Sequence, residues 1–203
     1  YTLSLHDALP ICVIVGNDAV DSGGAIAFCH GSIARCIVAD NTAEFGGGLT
    51  QCHGRIANCR IVNNLAELTG GGLDWCQAEI VNCTLAGNHA QFGGGFYGLG
   101  PDFRATIVHS ILWGNPESKW PHIDLYTMAN PSALRVAYSD IQGGPDGVHV
   151  ETNCVLDYLG QANLAVDPMF MDPNGPDGLA STWSDNDWRL QVDSPCHNAG
   201  DPA

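Results

Sequence analysis

The chain has 203 residues, 45% of them apolar, which is enough for one core, and no apolar run approaches the roughly eighteen residues of a membrane-spanning helix. Seven Lys and Arg stand against 22 Asp and Glu, a formal charge of −15. That balance argues against nucleic acid and anionic membrane surfaces as partners, and makes acidic polysaccharides poor ligands unless a cation bridges.

Residues 1–10, with His6 and Asp7, do not fit the pattern that follows. They resemble the translation of a sequencing adapter, which would place them outside the domain. The other reading is a first strand of a further coil. The domain proper is expected over 11–166, with 167–203 as a separate acidic cap or tail.

From residue 11 onward the chain repeats. Asn17, Asn41, Asn64 and Asn88 are separated by 24, 23 and 24 residues, and Cys12, Cys36, Cys59 and Cys83 by the same steps. A third column, Cys29, Cys52 and Cys76, keeps the interval, as do the glycine clusters at 23–24, 46–48, 70–72 and 93–95. A fixed period of this size means a solenoid. Its apolar runs are four to six residues long between Gly, Asn and Asp, too short for helices, so each coil is strands and turns. Alternation within the first strand turns Cys59 and Ile61 with their equivalents inward, and Arg60 with its equivalents outward. The asparagines fall at a corner that needs a left-handed backbone, where the side-chain amide can bond the next coil. The glycines form another corner, and Ile26, Leu49, Leu73 and Phe96 reopen an apolar strand. Stacking then places like residues over like at about 4.8 Å.

Seven of the nine cysteines lie in the two columns, where thiols suit a narrow interior and in-register stacking disfavours disulfide geometry. Cys36, Cys59 and Cys83 are expected free and unreactive, because apolar burial disfavours the thiolate. The second column poses a parity problem: if Leu49 points inward, Cys52 does so only where the backbone bends. Cys154 and Cys196 stand outside the columns and are the one pair considered for a disulfide. Cys29-His30 and Cys52-His53 recur one coil apart and have zinc-ligand chemistry, although the repeat explains them without metal. Asn82-Cys83-Thr84 is a glycosylation sequon expected to lie in a buried strand.

Beyond Asn88 the period loosens. The segment from His109 to Asn115 restores it with Ser110 in the cysteine column, and Tyr138 to Gly144 repeats it 29 residues later, with Gly144 in the asparagine position. About six coils result. Residues 116–131 form an insertion carrying Trp120, His122 and Tyr126. In the tail, Trp183 and Trp188 are suited to capping the open end of the core, which a solenoid needs. Asp172, Asn174, Asp177, Asp185 and Asp187 place five oxygen-bearing side chains within sixteen residues, chemistry suited to Ca²⁺, although their spacing does not match an EF-hand loop.

The pattern I-x-N-C-x-I-x-x-N-x-A-x-x-G-G-G resembles the right-handed parallel β-helix repeats of bacterial surface and secreted proteins, related in fold to pectate lyases and polymorphic outer-membrane proteins. The resemblance covers 11–115 well and the remainder loosely, and the tail resembles the segments that close such helices. It implies an all-β, right-handed parallel β-helix with an irregular C-terminal cap, an asparagine ladder through Asn17, Asn41, Asn64, Asn88 and Asn115, and an extracellular or cell-surface location. Fold alone implies no activity. The paired aspartates and basic-residue motifs of fold-related hydrolases and lyases are missing, so no catalytic residue is assigned. The expected function is a non-catalytic module for adhesion, glycan contact or spacing; the alternative is a fragment of a polysaccharide lyase or glycoside hydrolase. If Leu49, Leu73 and Phe96 face the core, Thr50, Asp74 and Tyr97 form an outward row that, with Trp120, His122 and Tyr126, would offer rings for stacking on sugars.

Overall fold

The computed structural model describes residues 12–115, 122–127, 131–159, 162–179 and 184–197. Residues 1–10 and the aromatic residues Trp120 and Trp183 lie outside this set. Apart from one 3₁₀ turn at Gly144–Gly147, the regular elements among the described residues are strands.

The repeat period becomes a three-walled parallel solenoid of about six coils. Sheet 1 stacks Cys12–Val15, Cys36–Ala39, Arg60–Val62, Thr84–Ala86, Ile111–Trp113 and Asp140–Ile141. Sheet 2 stacks Ile26–Ala27, Leu49–Thr50, Leu73–Asp74, Phe96–Leu99, Ile123–Tyr126 and Val148–Val150. Sheet 3 stacks Ile33–Ala34, Arg55–Ala57, Glu79–Val81, Arg104–Val108, Ser132–Ala137 and Cys154–Tyr158. Pairing is in register, like over like: Cys12 with Cys36, Leu49 with Leu73 and Phe96, Ile56 with Ile80 and Ile107. The three walls send Ile61 and Leu85, Leu73 and Phe96, and Ile80 and Ile107 into one core, each fully buried. Each such side chain contributes roughly 1.5–3 kcal/mol relative to exposure.

The asparagine column forms a continuous ladder. The Nδ2 atoms of Asn17, Asn41, Asn64 and Asn88 donate to the next Oδ1 at 2.8, 2.9, 2.9 and 3.0 Å. The same oxygens accept the backbone N–H of the preceding asparagine at 3.0–3.1 Å. From Asn41 onward each amide also donates back to a sheet 1 carbonyl of the previous coil, as Asn64 does to Val38 at 3.0 Å. The left-handed residue, expected at the asparagine itself, is instead the residue before it: Gly16, Asp40, Asn63, Gly87 and Gly114 have φ between 52° and 66°. That residue makes the turn, which frees the asparagine side chain to point along the stack.

The same device builds the cysteine columns. Arg35, Asn58 and Asn82 are left-handed and precede Cys36, Cys59 and Cys83; Phe28, Gln51 and Trp75 are left-handed and precede Cys29, Cys52 and Cys76. This bend resolves the parity problem, since Cys52 and Cys76 are fully buried. The thiols are more than small hydrophobes, because Cys36, Cys59 and Cys83 donate to the carbonyls of Ala34, Ala57 and Val81 two residues back at 3.2–3.3 Å. Ser110 and Ser139 repeat that bond at 2.9 Å, which explains their exchange for Cys. Asn82 sits exposed on this corner rather than within a buried strand.

Two expectations change. Cys154 and Cys196 are free thiols, the latter donating to Asp140 Oδ2 at 3.1 Å instead of joining a disulfide. Trp188 does not cover an open end. The tail forms an antiparallel pair, Phe170–Asp172 with Asp187–Leu190, that folds back along the solenoid. Phe170 and Trp188 pack edge to face, centroids 5.2 Å apart, against Ile37, Ala39, Val62 and Ala86. The outer side of sheet 1 is therefore a second, smaller core.

Replacing Asn64 by Leu removes a fully buried amide and orphans the Asn41 backbone N–H and the Val38 carbonyl. It should cost about 1–3 kcal/mol, read as a lower denaturation midpoint at an unchanged slope, whereas Asn17→Leu at the exposed end should cost less. Thiol access should follow position. Native-state alkylation followed by mass spectrometry should label exposed Cys12 and half-buried Cys29 first, and Cys52, Cys59, Cys76 and Cys83 only on unfolding. Burial pushes Cys36 up to about 11 and raises Cys83, while the hydrogen bond from Cys83 lowers Cys59 to about 7. Burial disfavours the Cys59 thiolate as well but is outweighed by that hydrogen bond, and at 2% exposure access protects Cys59.

Candidate functional site

The expected binding row exists as a register but not as a surface. Thr50, Asp74, Tyr97, Asp124 and His149 stand one above another on the outer side of sheet 2. Yet Thr50 is fully buried, and Asp74, Tyr97 and Asp124 are 5%, 9% and 3% exposed. The glycine corners explain this. Gly46 and Gly70 turn back over the row so closely that a Cβ at Gly46 would lie 2.7 Å from Thr50 Cβ, and one at Gly70 2.6 Å from Asp74 Cβ. Positive φ and close approach therefore demand glycine for separate reasons.

The polar groups in the row satisfy one another. Asp74 accepts the hydroxyls of Thr50 at 2.9 Å and Thr69 at 2.7 Å. Burial pushes its carboxyl up to about 6, and the two hydroxyl donors pull the other way. Asp124 is also raised by burial, against the pull of His149, whose Nδ1 is 2.7 Å from Asp124 Oδ1. Tyr97 lies between the two carboxylates, and burial with their charges holds its phenol well above the ordinary range. Of the residues grouped with this row, Trp120 is outside the described set, while His122 and Tyr126 are half-buried beside it in the fifth coil. The His122 Nδ1 has no hydrogen-bond partner among the described residues, and burial lowers the pKa of its ring.

The tail carboxylates do not assemble a cation cradle. Asp172 and Asp187 face each other across the antiparallel pair, and Arg189 grips both oxygens of Asp187 at 2.6–3.1 Å. Asp177 caps its own turn, accepting Leu179 N–H at 2.8 Å, and Asp185 lies against Gly175. Asn174 faces elsewhere, onto a cleft beneath the tail. Among the described residues no three His, Cys, Asp or Glu side chains converge as a metal site.

Sequence reasoning missed that cleft, a space of about 440 Å³ between the tail and the outer side of sheet 1. Trp113, Phe170 and Trp188 line it with Met169 and Pro173; Asp167, Asn174 and Gln191 supply polar groups, and Gly87 and Gly114 its backbone floor. Trp188 is 8% exposed, and its indole N–H has no acceptor among the described residues. Aromatic walls with Asp167, Asn174 and Gln191 beside them suit a small hydroxylated ligand. No periodic signal announces the cleft, because it joins residues more than fifty positions apart. Its one hint is the apolar character of the outward positions Ile37, Val62 and Trp113. A smaller hollow of about 280 Å³ is lined by stacked His109 and Tyr138 with Ser139 and the hydrogen-bonded pair Cys196 and Asp140.

No protein family, curated protein or solved structure matches the chain.

Asp74 gives a pH signature. Its folded pKa of about 6 lies above the ordinary 3.8, so folding favours the protonated form. The stability this contributes is complete below about pH 4 and is lost as pH rises through 6, a change of about 3 kcal/mol. Asp74→Asn keeps an acceptor for one threonine hydroxyl and should flatten that part of the stability–pH curve, raising the unfolding midpoint at pH 7. Chemical denaturation at pH 4, 5, 6 and 7 measures it.

Proposed function

We propose that this chain is a non-catalytic β-helix module of a secreted or cell-surface bacterial protein, similar in fold to the pectin-lyase-like and polymorphic outer-membrane repeats, which contacts a carbohydrate through the cleft beneath its tail. The observation that supports this reading most directly is that Trp113 and Trp188 line one cleft together with the polar side chains of Asp167, Asn174 and Gln191. Indole faces stack on the C–H faces of sugar rings, and Asp167, Asn174 and Gln191 offer hydroxyl partners of both kinds. The charge of −15 selects neutral over acidic glycans. The buried row on sheet 2 then belongs to the stability of the module and not to contact.

Trp113→Ala should abolish retention on an array of neutral glycans, because the half-buried ring is a wall of the cleft, and it should lower the unfolding midpoint modestly, because the same ring packs against the second core. Trp188→Phe, which shortens an aromatic wall of the cleft, should weaken binding about tenfold and also lower the unfolding midpoint, since the indole packs in the second core, so retention is compared at a temperature where each variant is folded. Equal binding by the parent and both variants would reject the cleft as the contact.

A second reading, a polysaccharide-cleaving enzyme, draws on Asp74 and Asp124. They lie two strand spacings apart, about 9.6 Å, near the separation used for inverting glycoside hydrolysis. Their burial, at 5% and 3% exposure, favours the non-catalytic reading. Reducing-sugar release by the parent and its loss in Asp74→Asn would reverse that preference.

A further inference from the structure

The tripeptide Cys29-His30-Gly31 recurs one coil later as Cys52-His53-Gly54, at the corner where sheet 2 turns into sheet 3. Phe28 and Gln51, both left-handed, turn the cysteines inward and leave the histidines outside. His53 N–H donates to the Cys29 carbonyl at 2.8 Å. The two glycines let the backbones nest, since a Cβ at Gly54 would collide with the Gly31 carbonyl oxygen. The rigid stack therefore holds the imidazoles of His30 and His53 side by side in solvent, ring centroids 5.4 Å apart and planes tilted by 59°.

A divalent ion bound to imidazole nitrogen at 2.0–2.1 Å sits roughly 3.2 Å from that ring's centroid, so two tetrahedral imidazole ligands place their centroids about 5 Å apart. The observed separation matches. A second observation fixes the free nitrogen. His30 Nδ1 lies 3.2 Å from the Phe28 carbonyl oxygen. A carbonyl only accepts, so Nδ1 carries the proton and Nε2 presents its lone pair to solvent. A backbone bond of this kind is what orients metal-binding histidines. Arg55, two residues after His53, is paired with Glu79 at 3.0 Å. The third coil has Gln77 and Ala78 at the equivalent positions, which confines the pair to two coils.

We propose that His30 and His53 form a two-imidazole site for a late first-row divalent cation of the Ni²⁺, Cu²⁺ or Zn²⁺ class. No third His, Cys, Asp or Glu converges there among the described residues, so the other coordination positions fall to water or to donors of another molecule. The Cys29 thiol points to the Gly31 carbonyl at 3.6 Å and is not a ligand. Imidazole suits these metals, and Ni²⁺ probes the site without oxidising the thiols.

Titration of the full chain with NiCl₂ should show one site per chain by calorimetry, with paramagnetic broadening confined to the ring resonances of His30 and His53. His30→Ala and His53→Ala should each weaken binding at least tenfold without moving the metal-free unfolding midpoint, because both side chains are exposed. His89→Ala and Cys29→Ser should bind like the parent. Unchanged affinity in His53→Ala, broadening centred on other histidines, or loss of binding in Cys29→Ser would each overturn the assignment.

Discussion

Parallel coils about 4.8 Å apart put identical positions over one another, so any polar group turned inward must find its partner in the coil above or below. That constraint selects asparagine for the first corner. A buried corner leaves a backbone N–H and a carbonyl unpaired, and one short amide supplies an acceptor for the first and a donor for the second. It still has an N–H left for the next amide. An aspartate in this column would lack the donors, and a glutamine would overshoot. Where the ladder stops, at Gly144 in the sixth coil, Gln142 Oε1 accepts the Gly114 N–H at 2.7 Å, in place of the strand carbonyl that accepts the equivalent Asn63 N–H.

The other corners solve the same problem with less polar means. A left-handed residue makes the bend and the next residue turns a donor back on the carbonyl two positions earlier, whether that donor is the thiol of Cys59 or the hydroxyl of Ser110. The thiol is the weaker donor and fills more space, which suits the three tight coils with a 23–24-residue step. Toward the C-terminus the coils lengthen and the column becomes more polar. Ser110 Oγ and Ser139 Oγ then also accept backbone N–H groups of the coil before, and Asn163 Oδ1 accepts Ser139 N–H at 2.9 Å. The cysteines of this chain are corner residues first, and their number says nothing about oxidation.

Period and parity made the fold legible. The columns at 12, 17 and 29 gave stacking, register and the inward set, because equivalent residues had to pair. The left-handed position was misplaced by one, since Asn tolerates positive φ and its own column suggested it; the mixed column Gly16, Asp40, Asn63, Gly87 and Gly114 held the better signal. Exposure was not legible. Alternation says which way Thr50, Asp74 and Tyr97 point, but not that Gly46 and Gly70 fold over them. The oxygen-rich composition of the tail is equally silent about Arg189, which pairs with Asp187.

The flank shows how a solenoid can hold a site that its repeat does not encode. Outward positions on sheet 1 read Ile37, Ala39, Val62, Ala86 and Trp113, an apolar stripe that is costly to leave bare in water. The tail supplies Phe170 and Trp188 to cover its middle, and Val13, at the far coil, stays 54% exposed beyond its reach. A two-stranded hairpin is marginal alone, so its position depends on that stripe. Covering a ridged flank with a twisted pair leaves unfilled space where the contact ends, beside Trp113 and Gly114. The cleft is thus a consequence of fitting a short antiparallel pair to a parallel wall, and its aromatic lining follows from the same rings that anchor the tail.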